Sequence, residues 1–260
     1  PKLRLLDMSN TTLSDAGLAS IARMRLLTAL RVAGTLVEGS GLGQLAQLPA
    51  LRELDLGATK VDDKAVAAIG NLKQLTSLRL SYSEIGDPGM KPLAGLDKLE
   101  VLHLAGTDIG DESLALIAKF PALRELNLNQ TRFTDAGLTA LRPLAKLERI
   151  EIFRTRAGNA SAEALAQMPA LRVVKMDYTA MDDKGLAALR ALPGVVELSI
   201  DNTNVTDAAV AALKAMPSLK SLNLYHTLVS EKGYSELAAA LPGCKIVFDR
   251  DSALPNRRTR

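Results

Sequence analysis

The chain of 260 residues is 47% apolar but only 3% aromatic, with no Trp, so its core rests on Leu, Ala and Val. One Cys excludes a disulfide framework and a cysteine-rich zinc site, and two His leave little for a histidine-based metal or catalytic centre. Residues 250–260 hold four Arg against one Asp and so carry the whole net charge of +3; the other 249 residues balance at 28 against 28, without the basic excess that neutralises nucleic-acid phosphates.

From the N-terminus, Leu3, Leu6 and Met8 open a pattern that returns every 24 residues. It recurs as Leu27, Leu30 and Val32, then Leu51, Leu54 and Leu56, and so on to Leu219, Leu222 and Leu224. Ten units run in unbroken register over residues 3–242. The L-x-L alternation has period two and predicts a short strand with both apolar side chains inward. A hydroxyl column follows at Thr11, Thr35, Thr59, Ser83, Thr107, Thr131, Thr155, Thr179, Thr203 and Thr227. Asp15, Asp63, Asp87, Asp111, Asp135, Asp183 and Asp207 then precede apolar positions spaced for one helical face, each predicted to cap its own helix. Pro49, Pro121, Pro169, Pro193 and Pro217 stop those helices before the next strand.

The unit L-x-x-L-x-L-x-x-T-x-V-x-D-x-G-L-x-x-L-x-x-L-P resembles the leucine-rich repeat family. In its T-D-A-G-L-x-x-L form it is similar to bacterial 24-residue arrays and to F-box-associated and bacterial effector members. The resemblance implies an α/β fold, a right-handed solenoid or horseshoe with a parallel sheet on the concave side and short helices on the convex side. One departure is that the family's Asn or Cys, which bonds amides along a ladder, is Thr or Ser in every repeat here; the hydroxyls are expected to keep that ladder in altered form.

A single domain is expected over 1–248, ten repeats plus a closing strand ending at Phe248, followed by a basic, disordered tail over 249–260. No amphipathic cap precedes the first repeat. That predicts either a missing N-terminal segment or weak end-to-end association of an otherwise monomeric chain through the uncapped repeat. No apolar run reaches the ~20 residues of a membrane span and no signal-peptide pattern opens the chain; the cytoplasm fits, although a preceding segment would leave the compartment open.

Chemistry is sparse. Gly39-Ser40-Gly41-Leu42-Gly43 lacks the G-x-G-x-x-G spacing of a phosphate loop and reads as a degenerate helix start. Cys244 has no nucleophile arrangement and is expected to be buried. His103 and His226 lie five repeats apart, ~24 Å or more at the sheet spacing, too far to share a metal. No cofactor, metal or catalytic role is predicted, and the chain is read as not an enzyme.

Binding is read from the strand face. Asp7, Arg31, Asp55 and Arg79 alternate in sign and are expected to compensate one another. At the strand ends, Tyr82, Phe153, Tyr178 and Tyr225 account for four of the eight aromatics, three of them in repeats seven to ten. With Arg149, Arg154, Lys175 and His226 they have the aromatic and Arg composition of protein-binding hot spots. The reading is a non-catalytic protein–protein interaction scaffold that holds a protein of unknown identity on its concave face. Two alternatives remain open: the recognition arm of a larger ligase-type or kinase-type enzyme or effector, and carbohydrate or cell-surface ligand binding with Tyr82, Tyr178 and Tyr225 as stacking platforms.

Overall fold

Each 24-residue period folds as one strand and one short helix, and the chain divides into two units, residues 1–132 and 133–260. The computed structural model describes residues 2–253. The first unit has strands β1 (Leu5–Asp7), β2 (Ala29–Arg31), β3 (Glu53–Asp55), β4 (Ser77–Arg79), β5 (Val101–His103) and β6 (Glu125–Asn127). The second has β7 (Arg149–Glu151), β8 (Val173–Lys175), β9 (Glu197–Ser199), β10 (Ser221–Asn223) and β11 (Lys245–Val247). Within each unit neighbouring strands run parallel and every residue pairs with the one 24 positions on, as Leu30 with Leu54 and Val174 with Leu198. Each unit is thus an α/β solenoid with a parallel sheet.

The helices are α1 (Asp15–Ile21), α2 (Val66–Ile69), α3 (Asp87–Met90) and α4 (Asp111–Ile117) in the first unit. The second has α5 (Asp135–Thr139), α6 (Asn159–Leu165), α7 (Asp183–Leu189), α8 (Val210–Lys214) and α9 (Glu231–Ala240). In repeat two, where Gly39, Gly41 and Gly43 weaken helix propensity, a 3₁₀ segment Leu42–Gln47 takes the helix's place.

The apolar columns form the core. Leu30, Leu54, Leu78, Leu102 and Leu126, one per strand, are wholly buried, as are Ile150, Val174 and Leu222. β1 lies at the sheet edge, and there Leu3 and Leu5 stay exposed.

The hydroxyl column does not carry a ladder between repeats. Every one of its ten hydroxyls donates to the carbonyl three residues earlier in its own repeat, as Thr35 to Val32 (2.6 Å) and Thr131 to Leu128 (2.7 Å). A hydroxyl on a two-atom stem reaches back along its own turn more readily than across ~4.8 Å to the next. The ladder between repeats is made by the backbone, for example Ala58 N–H to the Ser81 carbonyl.

The aspartate column also differs from expectation. Asp15, Asp63, Asp87, Asp135, Asp183 and Asp207 bond the helix start of the following repeat, not of their own. Asp15 accepts from the amides of Glu38, Gly39 and Gly41; Asp63 from Gly86; Asp183 from the amide and hydroxyl of Thr206; Asp207 from those of Ser230. Asp87 takes the Gly110 and Ser113 amides and the Ser113 hydroxyl, and Asp135 takes the Gly158 and Ser161 amides and the Ser161 hydroxyl. In divergent repeat seven Asn159 fills the column and accepts from the Asp182 and Gly185 amides. Burial pushes the Asp15 carboxyl up, but the three amides outweigh it and hold it below the usual range. Where a side chain caps a helix in its own repeat, it is the preceding residue: Thr134 accepts from the Ala136 amide and Asp182 from the Lys184 amide. The third helical position is Gly where the incoming side chain needs the space. A Cβ on Gly233 would stand 2.2 Å from Asp207 Oδ1, and one on Gly185 2.6 Å from Asn159 Oδ1.

Of the expected tail, residues 249–253 are described: Arg250 pairs with Glu231 (2.7 Å) and Ser252 is buried. Residues 254–260, with the remaining three Arg, lie outside the described residues.

Candidate functional site

The residue at the tip of each strand from β1 to β10 is left-handed. Asn10, Gly34, Ala58, Tyr82, Gly106, Gln130, Arg154, Tyr178, Asn202 and His226 all have φ between 50° and 66°. This conformation costs a non-glycine residue about 1 kcal/mol. It turns the chain so that the tip amide meets the next repeat's carbonyl, as Tyr178 N–H to Asp201 and Asn202 N–H to Tyr225. The side chains of Arg154, Tyr178 and His226 are therefore presented from a turn that the backbone fixes. The four Asn and Gly in this column were the available sequence signal.

Seven of the eight sequence-predicted site residues fall in the second unit. Phe153 and Tyr178 pack edge to face, centroids 5.1 Å apart at 72°, and the Arg154 guanidinium lies 5.1 Å from both rings. These three residues form one cation–π cluster, with Arg154 exposed and the two rings half-buried. Arg149 and Lys175 stand apart from it in an ion quartet. Arg149 contacts Glu151 (3.0 Å) and Glu197 (3.8 Å), and Lys175 contacts the same two carboxylates at 3.4 and 3.3 Å. Burial pushes the Glu151 carboxyl up, but Lys175 and Arg149 outweigh it and hold it below the usual range. Glu197 opens β9, two residues before Ser199, the residue in register with Glu151 and Lys175.

Tyr225 and His226 stack at 3.9 Å with a 55° tilt, and His226 Nδ1 stands 3.3 Å from Asp201 Oδ1. Between the two aromatic groups stand Asp177 and Asp201, in the same strand-end column as Phe153 and Tyr225. Asp177 Oδ1 accepts from the Ser199 hydroxyl (2.5 Å) and the Asp201 amide (2.7 Å). Burial pushes both carboxyls above the usual range, and the neighbouring Asp177 charge adds to the effect on Asp201. The eighth residue, Tyr82, belongs to the first unit. It is 58% exposed, with its ring over Gly106, where a Cβ would stand 2.4 Å from Cδ1.

Other sequence readings resolve as follows. In the first unit Arg31 reaches Asp7 (4.0 Å) and Glu53 (3.9 Å). Asp55 instead accepts from the Gly57 amide and Arg79 donates to the Ser77 hydroxyl, so the expected charge ladder stops at Arg31. His103 Nε2 lies 2.7 Å from Glu125. The glycine-rich segment cannot cradle a phosphate with its Gly39 and Gly41 amides, because Asp15 already accepts from both. Cys244 is half-exposed, contrary to expectation, since it leads into the edge strand β11. Among the described residues no group of three or more His, Cys, Asp and Glu could hold a metal ion, and no helix is long and apolar enough to cross a membrane.

The family model for the leucine-rich repeat region matches residues 2–241. No curated protein matches the chain in sequence. Among solved structures, internalin C2 of Listeria monocytogenes is similar at 25% identity and TM-score 0.61, over 77% of this chain and 80% of its own. A second Listeria internalin matches at 18% identity and TM-score 0.60, over 99% of this chain and 86% of its own. The mouse RP105/MD-1 complex matches at 21% identity and TM-score 0.68, over 91% of this chain and 41% of that one. Repeat register, parallel sheets and family match agree: the chain belongs to the leucine-rich repeat family.

Proposed function

We propose that the chain is a non-catalytic interaction module that holds a protein partner on the strand-end face of its second unit. The observation that carries this is the Phe153–Arg154–Tyr178 cluster, two half-buried aromatic rings and an exposed arginine gathered at the strand ends. Aromatic and Arg anchors of this kind dominate binding energy at protein interfaces. The backbone fixes Arg154 and Tyr178 at left-handed turns, so little ordering entropy is lost when a partner docks. The likeness to the mouse RP105/MD-1 complex supports the same reading. The ion quartet beside the cluster neutralises itself and contributes complementarity more than affinity.

The test is affinity capture with the parent chain and with a folded Phe153→Ala, Arg154→Glu, Tyr178→Ala variant, followed by calorimetry on the purified partner. The parent is expected to bind and the variant to lose at least about tenfold, the loss of a single hot-spot anchor. Equal binding by both would remove the site from this face.

A further inference from the structure

Independently of that reading, we infer that the first unit docks on an anionic lipid surface through the edge where each helix leads into the next strand, with Arg23, Arg25 and Leu26 at the centre of the contact. The balanced sum of charge hides a segregation within this unit. Residues 2–4 and the helix-to-strand stretches 22–28, 46–52, 70–76, 94–100 and 118–124 hold nine Lys and Arg against two acidic residues, Asp97 and Glu100. The strand-to-helix stretches 9–16, 33–40, 57–64, 81–88 and 105–112, with residues 129–132, reverse this, at three basic residues against nine acidic. Stacking of the repeats lines up each kind of stretch along one edge of the unit, at steps of ~4.8 Å.

The acidic edge is accounted for by the fold. Asp15, Asp63 and Asp87 bond the following helix start, Glu38 pairs with Lys60, and Asp108 pairs with Arg132. The basic edge is not. Attraction to the helix dipole would set cations in the last helical turn, and none of α1 to α4 has a basic residue there. Arg4, Arg23, Arg25, Lys73 and Lys119 are exposed and make no ion pair among the described residues. An array of this sign attracts a phosphate-bearing surface.

The choice of a lipid surface comes from what stands among the cations. Leu26 follows Arg25 directly and is 53% exposed. Its position is filled by Lys2 one repeat earlier and by Ala50, Gln74, Lys98 and Ala122 in later repeats, none of them buried. The position therefore faces outward throughout the unit, and Leu26 is the large apolar side chain placed on it. Leu3, 40% exposed between Lys2 and Arg4, widens the apolar strip. Leucines flanked by Lys and Arg enter the headgroup boundary while the cations stay with the phosphates. A single-stranded nucleic acid would require aromatic stacking platforms, and the one aromatic residue in these stretches, Phe120, is buried.

The test is flotation of the full chain with vesicles of phosphatidylcholine containing about one-third phosphatidylserine, beside vesicles of phosphatidylcholine alone. Binding to the anionic vesicles, weakened by added salt, and none to the neutral ones are the expected results. The Arg23→Gln, Arg25→Gln variant should bind at least about tenfold more weakly. A Lys64→Gln, Lys184→Gln control removes the same charge from exposed positions at helix starts and should bind as the parent does. Lys73→Gln, Lys119→Gln repeats the test in other repeats should the first variant not fold. Leu26→Gln should weaken binding to the vesicles while leaving any attraction to a duplex DNA oligonucleotide as it is. Failure to bind the anionic vesicles, or equal losses in the arginine variant and the control, would overturn the proposal. So would Leu26→Gln binding like the parent with the DNA held as tightly as the vesicles, which would make nucleic acid the occupant.

Discussion

Replacing Asp135 by Ala should weaken a helix in the next repeat, not the helix that begins at residue 135. Its Oδ1 accepts from the Gly158 amide at 2.7 Å, the Ser161 amide at 3.1 Å and the Ser161 hydroxyl at 2.5 Å, all at the start of α6. Losing a helix cap costs about 1 kcal/mol, and leaving a second part-buried amide without its charged acceptor adds about 1.5 kcal/mol. The expected loss is therefore about 2.5 kcal/mol. Asp135→Asn keeps the oxygen that makes all three bonds and should cost under about 1 kcal/mol, since Asn159 performs this task unaided in the neighbouring repeat. Urea unfolding gives the stabilities, and amide hydrogen exchange locates the damage. Faster exchange at Gly158 and Ser161 with α5 unchanged supports the reasoning; loss confined to α5, or equal costs for Ala and Asn, would refute it.

The pH dependence has opposite signs at the two kinds of aspartate. Asp177 and Asp201 have raised folded-state pKa values, so their ionisation costs stability once the pH exceeds the carboxylate range. Asp201→Asn should raise the melting temperature at pH 7, and the gain should vanish as the pH falls through that range. Asp15 is lowered and contributes stability above the carboxylate range that is lost in acid, so Asp15→Asn should destabilise at pH 7, with the difference closing on acidification. Leu126→Ala, at a wholly buried position, should cost about 3 kcal/mol in urea unfolding, and a cost under about 1 kcal/mol would mean that the site collapses around the cavity. Ala58→Gly, at φ 51°, should raise stability by up to about 1 kcal/mol; a loss in thermal unfolding would show that the tip stores no strain.

The strand columns were legible because burial repeats with the sequence period, and Leu30 to Leu126 stand where the 24-residue spacing puts them. The aspartates were misassigned for a physical reason. Propensity arguments see neighbours along the chain, whereas a parallel solenoid sets residue i beside i+24, so Asp135 meets Gly158 and Ser161. A usable signal was present in the Gly or Ser that stands 26 residues after six of the seven Asp, as Gly89 after Asp63 and Ser113 after Asp87, with Ala209 after Asp183 the exception. At the candidate site the aromatics and Arg154 could be read as a cluster because they share adjacent columns. The engagement of Arg149 and Lys175 by Glu197 could not, since it depends on side-chain reach across strands.

The most direct measurement is hydrogen exchange of the chain bound to its captured partner. Slowed exchange at residues 153–154, 177–178 and 201–202, with the helices α5 to α8 unchanged, is the predicted footprint. Protection confined to those helices, with the strand ends exchanging as in the free chain, would contradict the account.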